Sequence, residues 1–303
     1  MPTVEAPAVS VVVPTHNRAP KLARVLEALA EVECPIGGFE VIVVDDGSVD
    51  DTAAVVAAAS LPVVLIRQAN AGAASARNRG WRAGRAPVIA FLDDDCVPSR
   101  TWLIDLVNAS EADAAIGAVG GAIVPLEPGT RATFVQLDRL VAHGADGERE
   151  VRYLVTANMI VRREVLESLD GFDERFPVGE DTDFGARVRA SGRKLAVIDG
   201  GVVAHDHRLG LREILATYRK AGRARHLLAG RHRELSAQAG TRLIARPAHW
   251  IACYRRYRTA AGPITALGFV TLRAAGMASF AYGYLVDGRR DQRPGQLRPV
   301  GVR

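Results

Sequence analysis

The sequence predicts an α/β fold in which a mostly parallel sheet carries helices on both faces. Short runs rich in valine and isoleucine alternate with Ala/Leu-rich stretches of helical periodicity over the first hundred residues. Polar clusters follow three of the apolar runs where each run ends, as ligand-binding residues do at the carboxyl edge of a parallel sheet. The hydrophobic content of 48% is sufficient for a sizeable core and excludes a disordered chain.

The first block of elements is regular. Strands are predicted at residues 9–13, 39–44, 62–67 and 87–92, and helices at residues 20–32, 50–60 and 72–84, the second with a capping aspartate. One face of the first helix is apolar and contains Leu22, Val25, Leu26 and Leu29. In the fourth strand, Ala90 and Phe91 should point to opposite faces that are both buried.

A second block covers residues 114–207. Strands are predicted at residues 118–124, 153–161, 194–198 and 202–204, and helices at residues 163–169 and 181–190. Residues 127–152 contain turn formers and charges, including HGADGERE, and are interpreted as a mobile loop or lid. From residue 208 onward the pattern is helical.

Four polar motifs occupy the first block. In PTHNR, Pro14 ends a strand, Asn17 holds the turn, and Thr15 and His16 project from the sheet edge. In VIVVDDGS, Asp46 is a candidate acceptor for ribose hydroxyls or a base N–H, although DDGS is also an ordinary turn. In NAGAASARNRG, the helix start and the side chains of Arg77 and Arg79 suit an anion such as phosphate.

The fourth motif is LDDD, which contains Asp93, Asp94 and Asp95. One interpretation is a hydrophilic turn that helps to cap a helix beginning near Ser99. The other is a set of hard oxygen ligands for Mg²⁺ or Mn²⁺, which in turn binds two nucleotide phosphates. A P-loop ATPase and a dinucleotide oxidoreductase are disfavoured, because neither GK[ST] nor a GxGxxG after the first strand is present.

In this order and at these separations, PTHNR, DDGS, NxGxxxARNxG and FLDDD resemble glycosyltransferase family 2, whose GT-A fold has a Rossmann-like mixed sheet flanked by helices. The resemblance implies a UDP, GDP or dTDP sugar as donor and Mn²⁺ or Mg²⁺ as cofactor. The implied donor-binding residues are Pro14, Thr15, His16, Asn17, Asp46, Arg77, Asp93 and Asp94. The implied metal ligands are Asp93, Asp95 and His205, with His207 as the alternative histidine.

The resemblance continues through residues 156–192, where a Gly-Phe-Asp stretch leads to Glu180 and Asp181. It implies that these two residues are catalytic, with Asp181 as the general base of an inverting reaction. The alternative is that both acids only complement the helix dipole. Arg187 is expected to pair with Asp183 at i, i+4.

The implied organisation is a GT-A catalytic domain over residues 1–207, with a nucleotide-sugar half at 8–113 and an acceptor half at 114–207. Residues 208–303 form a basic, mostly helical C-terminal region with 19 basic and four acidic side chains, while the preceding residues carry a net charge of −10. Such a region suits nucleic acid, anionic lipid or the acidic part of the same chain. Nucleic acid is disfavoured, because the aromatic residues follow no known binding pattern.

Residues 262–286 contain a single charge, Arg273. The segment is long enough to span a bilayer, but a central arginine costs about 2.5–3.5 kcal/mol on insertion scales. Three interpretations therefore stay open: packing on the protein or in a homodimer, peripheral binding to a membrane surface, or a true span. The acceptor is a small molecule, a glycan or a lipid-linked molecule.

The chain is expected to be cytoplasmic, with a peripheral position at the inner membrane surface as an option. Its three cysteines lie far apart and in no metal-ligand spacing, and the first apolar run stops at Pro14 after five residues. Two rival functions remain open. One is a nucleotidyltransferase of similar fold, for which PTHNRAPK is a poor match, and the other is a non-catalytic protein that binds nucleotides or anionic surfaces.

Overall fold

The computed structural model describes residues 6–145, 151–207, 210–232 and 247–291. The chain divides into two compact units. The first unit comprises Met1–Leu126 and Ala142–Asp206, and the second comprises Glu127–Val141 and His207–Arg303. The prediction that residues 127–152 form a mobile loop or lid is wrong for Thr130–Leu137, which form a helix of the second unit. Residues 146–150 of the same segment lie outside the described residues.

The described part of the first unit contains twelve strands in three sheets, and the largest of these is a mixed sheet of seven strands. In chain order the strands are β1 (Val9–Thr15), β2 (Phe39–Asp45), β3 (Val63–Arg67), β4 (Val88–Leu92), β5 (Cys96–Pro98), β6 (Ile116–Gly120), β7 (Ile123–Pro125), β8 (Gly144–Ala145), β9 (Val151–Tyr153), β10 (Asn158–Arg162), β11 (Lys194–Val197) and β12 (Val203–His205). The large sheet has the order β11-β6-β10-β4-β1-β2-β3, and smaller sheets pair β5-β12-β7 and β8-β9. Strands β1 to β4 are parallel, while β10 runs antiparallel to β4 and β6.

Helices cover both faces of the large sheet. They are α1 (Ala19–Ala30), α2 (Thr52–Ala57), α3 (Ala73–Ala83), α4 (Trp102–Glu111), α6 (Arg163–Ser168) and α7 (Glu180–Ala190). Alternate residues of β4 enter two separate cores, since Ala90 packs with Leu22 and Trp102, whereas Phe91 packs with Phe172 and Trp81. The prediction that both faces of this strand are buried is confirmed.

Two predicted strands are each divided in the structure. The predicted strand at 118–124 ends at Gly120 and resumes as β7 in the smaller sheet. The reason is the crossing at Gly121, where a Cβ would lie 2.1 Å from the carbonyl oxygen of Gly201. The predicted strand at 153–161 is likewise β9 and β10, with a turn between them. The helix expected near Ser99 is α4, which begins at Trp102 because the short strand β5 extends to Pro98.

The second unit is helical. It contains α5 (Thr130–Leu137), α8 (Leu211–Arg231), α9 (Pro247–Ala261), α10 (Pro263–Tyr282), a π-helical turn (Gly283–Asp287) and α11 (Gly288–Asp291). Its core joins Phe134 of α5, Tyr218 of α8, Tyr257 of α9 and Phe269 of α10. Within the described residues, the continuous helix Pro263–Arg290 is long and apolar enough to cross a membrane by length and composition, which is weak support for a span.

Candidate active site

The carboxyl ends of β1, β2 and β4 bring three of the polar motifs together, because these strands are parallel neighbours. The hydroxyl of Thr15 donates to Asp94 over 2.8 Å, and the carbonyl of Thr15 accepts from the N–H of Asp46 over 2.9 Å. The ring Nδ1 of His16 lies 2.9 Å from the carbonyl oxygen of Asp46. Residues from PTHNR, DDGS and DDD therefore form one continuous site.

Asn17 ties the first motif to the second. It has a positive φ of 53°, which asparagine tolerates better than most residues, and its Oδ1 accepts from the N–H of Val49 over 2.8 Å. Its own N–H donates to the Ser48 hydroxyl over 2.9 Å. The prediction that Asn17 holds the turn is confirmed. Strand β1, however, continues to Thr15, so Pro14 lies within the strand and does not end it.

Asp46 organises the loop that leads into α3. Its carboxylate accepts from the side chain of Gln68 and from the backbone N–H groups of Ala71 and Gly72, at 2.8 to 2.9 Å. The preceding turn needs glycine at position 47, because φ is +84° and a Cβ would lie 2.9 Å from the backbone nitrogen of Asn70. Asp46 therefore sets the shape of this loop, and its contact with a donor stays a prediction.

The three consecutive aspartates have different partners. Asp94 is 3% exposed and accepts from Thr15 and, over 2.9 Å, from Arg18. Burial raises the pKa of the Asp94 carboxyl to about 6, although Arg18 opposes this shift. Asp93 accepts from Arg77 over 2.7 Å, while Asp95 lies 3.1 Å from Arg18 and 3.4 Å from Lys21. The mutual repulsion of the carboxylates is thus balanced by three different cations.

Asp95 also belongs to a group of possible metal ligands. Ligand atoms of Asp95, Cys96 and His205 all lie within 4.8 Å of one another, and the His205 Nε2 is 3.5 Å from Asp95 Oδ1. Pairing of β12 with β5 places His205 opposite Cys96 in the smaller sheet. A carboxylate and an imidazole fit Mn²⁺, whereas burial and the adjacent carboxylates raise the pKa of the Cys96 thiol and keep it protonated. Asp93 is not a member of this group.

Arg77 connects the two halves of the first unit. Its buried guanidinium donates to Asp93 and to Glu180, both over 2.7 Å. Burial alone would lower the pKa of Arg77, but these two carboxylates raise it overall. The sequence indicated an anion contact for this residue, and the structure shows both terminal nitrogens engaged by carboxylates of the protein.

Asp181 is half-buried and is the second residue of α7. The helix begins at Glu180, directly after Gly179, which has a left-handed backbone conformation. It accepts from the backbone N–H of Thr182 over 2.6 Å. Burial raises the pKa of Asp181, the charge of Glu180 raises it further, and Arg77 acts in the opposite direction. A carboxylate with a raised pKa is a stronger base than an ordinary aspartate, which is the property that general-base catalysis requires.

The loop before α7 is held by two further residues. The side-chain amide of Asn78 accepts from the N–H of Phe172 and donates to its carbonyl, over 2.9 and 2.8 Å. Arg187 pairs with Asp183 over 2.8 Å, which confirms the predicted i, i+4 pair, and also donates to the carbonyl of Gly171. These bonds fix the Gly-Phe-Asp turn between the donor-side helix α3 and the acid-bearing helix α7.

Sequence reasoning missed the cations on α1. Lys21 lies 3.5 Å from Asp206, Arg24 lies 3.3 Å from the same carboxylate, and Arg18 contacts Asp94 and Asp95. The signal was present as R-x-x-K-x-x-R, a spacing that places three cations along one side of an amphipathic helix. Their carboxylate partners lie far away in the sequence, which is why the spacing alone did not identify them.

A mixed sheet of this order, with its site at the carboxyl edge of the parallel strands, is the GT-A fold of glycosyltransferases. Mannosyltransferase PcManGT from Pyrobaculum calidifontis, in complex with GDP-Man and Mn²⁺, superposes with a TM-score of 0.66 over 95% of this chain and 89% of that one, at 21% identity. TarS residues 1–349 from S. aureus, in complex with UDP, has a TM-score of 0.55 over 96% and 94% of the chains, at 18% identity.

The family follows from sequence similarity. A family model described as glycosyl transferase family 2 matches residues 10–170. Pre-mycofactocin glycosyltransferase of Mycobacterium tuberculosis is 33% identical over 240 residues, which cover 76% of this chain and 49% of that protein. Glycosyltransferase AglE of Haloferax volcanii is 29% identical over 213 residues, or 68% and 69% of the two chains. The chain belongs to glycosyl transferase family 2, and it spans about half the length of the mycobacterial relative.

Proposed function

We propose that the protein is an inverting, metal-dependent glycosyltransferase that uses a nucleotide-diphosphate sugar. The observation that carries this proposal is the bridge through Arg77, which joins Asp93 at the donor edge of the sheet to Glu180 beside Asp181. The bridge thereby connects the candidate base to the LDDD motif, in which Asp95, two residues after Asp93, lies beside His205. Family membership and the presence of GDP-Man, Mn²⁺ and UDP in complexes of structurally similar proteins support the same conclusion.

In the proposed reaction, the Asp181 carboxylate takes the proton of an acceptor hydroxyl or other nucleophile. The acceptor atom then forms a bond to the anomeric carbon, while the bond from that carbon to the diphosphate oxygen breaks and its electron pair leaves with the nucleotide. When bound by Asp95 and His205, Mn²⁺ or Mg²⁺ supplies positive charge for the departing diphosphate. Asp93 is a further proposed ligand or a ribose acceptor.

The donor-binding residues are proposed at the same sheet edge. His16 and Asn17 are exposed there, beside the loop shaped by Asp46. Thr15 and Asp94 are buried and hydrogen-bonded to each other at the same edge, next to Pro14, and the proposal includes all three as donor-binding residues. A nucleotidyltransferase is less well supported, because the turn after β1 has neither the glycines nor the phosphate-binding lysine that such a reaction uses.

We also propose a division of labour along the chain. Residues 1–207 carry out transfer, and the basic region at 208–303 contacts a membrane surface or a second copy of the chain. A lipid-linked acceptor would suit the first of these partners, and a small molecule or a glycan would suit either. The proposed location is the cytoplasm or the cytoplasmic face of the membrane.

Two measurements test the transfer reaction. A thermal-shift screen of nucleotide sugars with Mn²⁺ should identify the donor, because a ligand that binds only the native state raises its stability. With that donor, Asp181→Asn should lower kcat by about 10²- to 10⁴-fold while the donor affinity stays unchanged. Asp170→Asn, which alters a 93% exposed side chain, is the matched control. Normal turnover by Asp181→Asn would show that another group is the base.

A further inference from the structure

The second unit contains a basic cavity that is separate from the site at the sheet edge. Its volume is about 440 Å³, and it is lined by Ala216, Arg219, Lys220, Arg223, Asp287 and Arg290. Four cations therefore face a single carboxylate. We call this feature the basic cavity of the second unit.

The cavity has a fixed wall. Arg219 donates to both carboxylate oxygens of Asp287, over 2.5 and 2.9 Å, and its guanidinium lies 4.6 Å from the ring centroid of Tyr282. The backbones behind it are in close contact, since a Cβ on Gly283 would lie 2.0 Å from the carbonyl oxygen of Arg219. The same holds at Gly222, where a Cβ would lie 2.0 Å from the carbonyl of Phe280. Arg219 is therefore held in place before any ligand arrives.

Four cations and one carboxylate line the cavity. The hydrogen bond from Arg219 lowers the pKa of Asp287 most, and the charges of Arg223 and Arg290 lower it further, so that three cations act on one carboxylate. Lys220 adds a fourth cation on the same face of α8, three residues before Arg223. Like charges at this spacing repel on a helix, and a bound anion would relieve that repulsion. Guanidinium groups bind phosphate oxygens with charge-assisted hydrogen bonds.

Exposed apolar side chains lie on the same helical segment as the cavity. Tyr282 is 46% exposed and Leu285 is 52% exposed, and both precede Asp287 by a few residues. At the opposite, N-terminal end of α10, Leu267 and Ile264 are 61% and 85% exposed. A soluble phosphate needs no apolar surface, whereas a lipid presents a phosphate together with acyl chains.

We propose that the basic cavity binds the phosphate group of an anionic lipid headgroup and so holds the second unit on a membrane surface. This inference rests on the proposed membrane contact of the C-terminal region and names its binding site. It is independent of the transfer chemistry, because none of the lining residues belongs to the site at the sheet edge.

The test is sedimentation of the full chain with phosphatidylcholine vesicles, with and without phosphatidylglycerol. The wild-type chain should bind the anionic vesicles and lose that binding at high salt. Lys220→Gln combined with Arg290→Gln removes two exposed cations of the cavity and should weaken vesicle binding by about 10- to 30-fold, at roughly three- to fivefold per charge. Lys220→Arg should retain binding.

The matched control is Arg212→Gln combined with Arg258→Gln, which removes two exposed cations of the same unit outside the cavity. This variant should bind within about threefold of the wild type if the cavity is specific. Equal losses in both double variants would overturn the assigned site while keeping the membrane contact. Absence of wild-type binding to any vesicle would overturn the contact itself. A thermal shift with inorganic phosphate that equals the shift with vesicles would identify soluble phosphate, and not lipid, as the ligand.

Discussion

Asp138 provides a sharp test of how the second unit is stabilised. Its carboxylate, 1% exposed, accepts from the hydroxyls of Tyr218 and Tyr257 and from the guanidinium of Arg273. Burial and Asp138 raise the pKa of Tyr257 to about 12, so the hydroxyl remains a donor at neutral pH. Asp138→Leu would leave a largely buried arginine without its carboxylate and two hydroxyls without their acceptor.

The expected cost of Asp138→Leu is about 3–5 kcal/mol of unfolding free energy, the range for removing one partner of a buried ion pair. The two unsatisfied hydroxyls, each worth about 1–3 kcal/mol, place the result toward the upper end. Asp138→Asn keeps one acceptor oxygen and should cost less. Removing both charges in Asp138→Leu with Arg273→Leu should recover only the part of the loss that comes from the unpaired arginine, because the hydroxyls of Tyr218 and Tyr257 still lack their acceptor.

Denaturant unfolding followed by hydrogen exchange with mass spectrometry would measure this effect in each unit separately. Peptides from α8, α9 and α10 should exchange faster in Asp138→Leu, while peptides from the large sheet should keep their protection. Asp170→Asn, at an exposed ion pair with Arg82 and at a φ of 54° that asparagine tolerates, is the control and should cost under about 1 kcal/mol. A loss below 1 kcal/mol for Asp138→Leu, or a loss confined to the sheet, would refute the reasoning.

Three further predictions concern the first unit. Because the pKa of Asp181 is raised, the activity of the wild type should fall as the pH drops through a value above the pKa of an ordinary aspartate. Glu180→Gln removes a neighbouring negative charge, so the same fall in kcat should occur about one pH unit lower. Calorimetric titration with Mn²⁺ and UDP or GDP should show at least about tenfold weaker metal binding for Asp95→Ala, and no change for the exposed Asp113→Ala. Asn78→Ala should lower the unfolding free energy by about 1–3 kcal/mol in denaturant titrations, because it leaves buried backbone groups unsatisfied; a cost near zero would contradict the bracing role of this side chain.

The sequence was most informative where a pattern is local. The Val-rich runs and the apolar face of α1 predicted strands β1 to β4 and helices α1 to α3 to within a few residues. These elements could be predicted because buried and exposed side chains alternate with a regular period along consecutive residues. In the small sheet, β12 was predicted at 202–204, but β5 was missed and β7 was joined to β6, because strands of three residues carry too little periodicity. Its pairing is nevertheless what places His205 beside Asp95.

The helix α5 shows a second limit of sequence reasoning. Turn formers and charges on both sides of it indicated a loop, whereas Phe134 and Val135 are fully buried in the core of the second unit. Asp138 looked like one more loop charge for the same reason. Its partner Arg273 lies more than a hundred residues later in the sequence, so the sequence alone did not indicate this buried ion pair.

That pair also bears on the apolar segment at 262–286. Arg273 is the single charge that made a membrane span costly, and in the folded second unit it is neutralised by Asp138. Ala266 and Phe269 of the same helix pack in the core, so the packing interpretation accounts for one face of α10. Only 17% of the apolar window is buried, however, so packing does not account for the other faces of this helix. Packing and peripheral binding are therefore compatible, because they use different faces of one helix.

Charge balance gives the three aspartates of LDDD distinct functions. Asp94, covered by Thr15 and Arg18, joins β4 to the turn after β1 and so fixes the sheet edge on which the other two lie. Asp93 is joined through Arg77 to the acid pair of α7, whereas Asp95 is held beside His205 by cations of α1. A metal held by Asp95 would add positive charge beside Arg18 and Lys21, so these two cations would have to share the carboxylate with it.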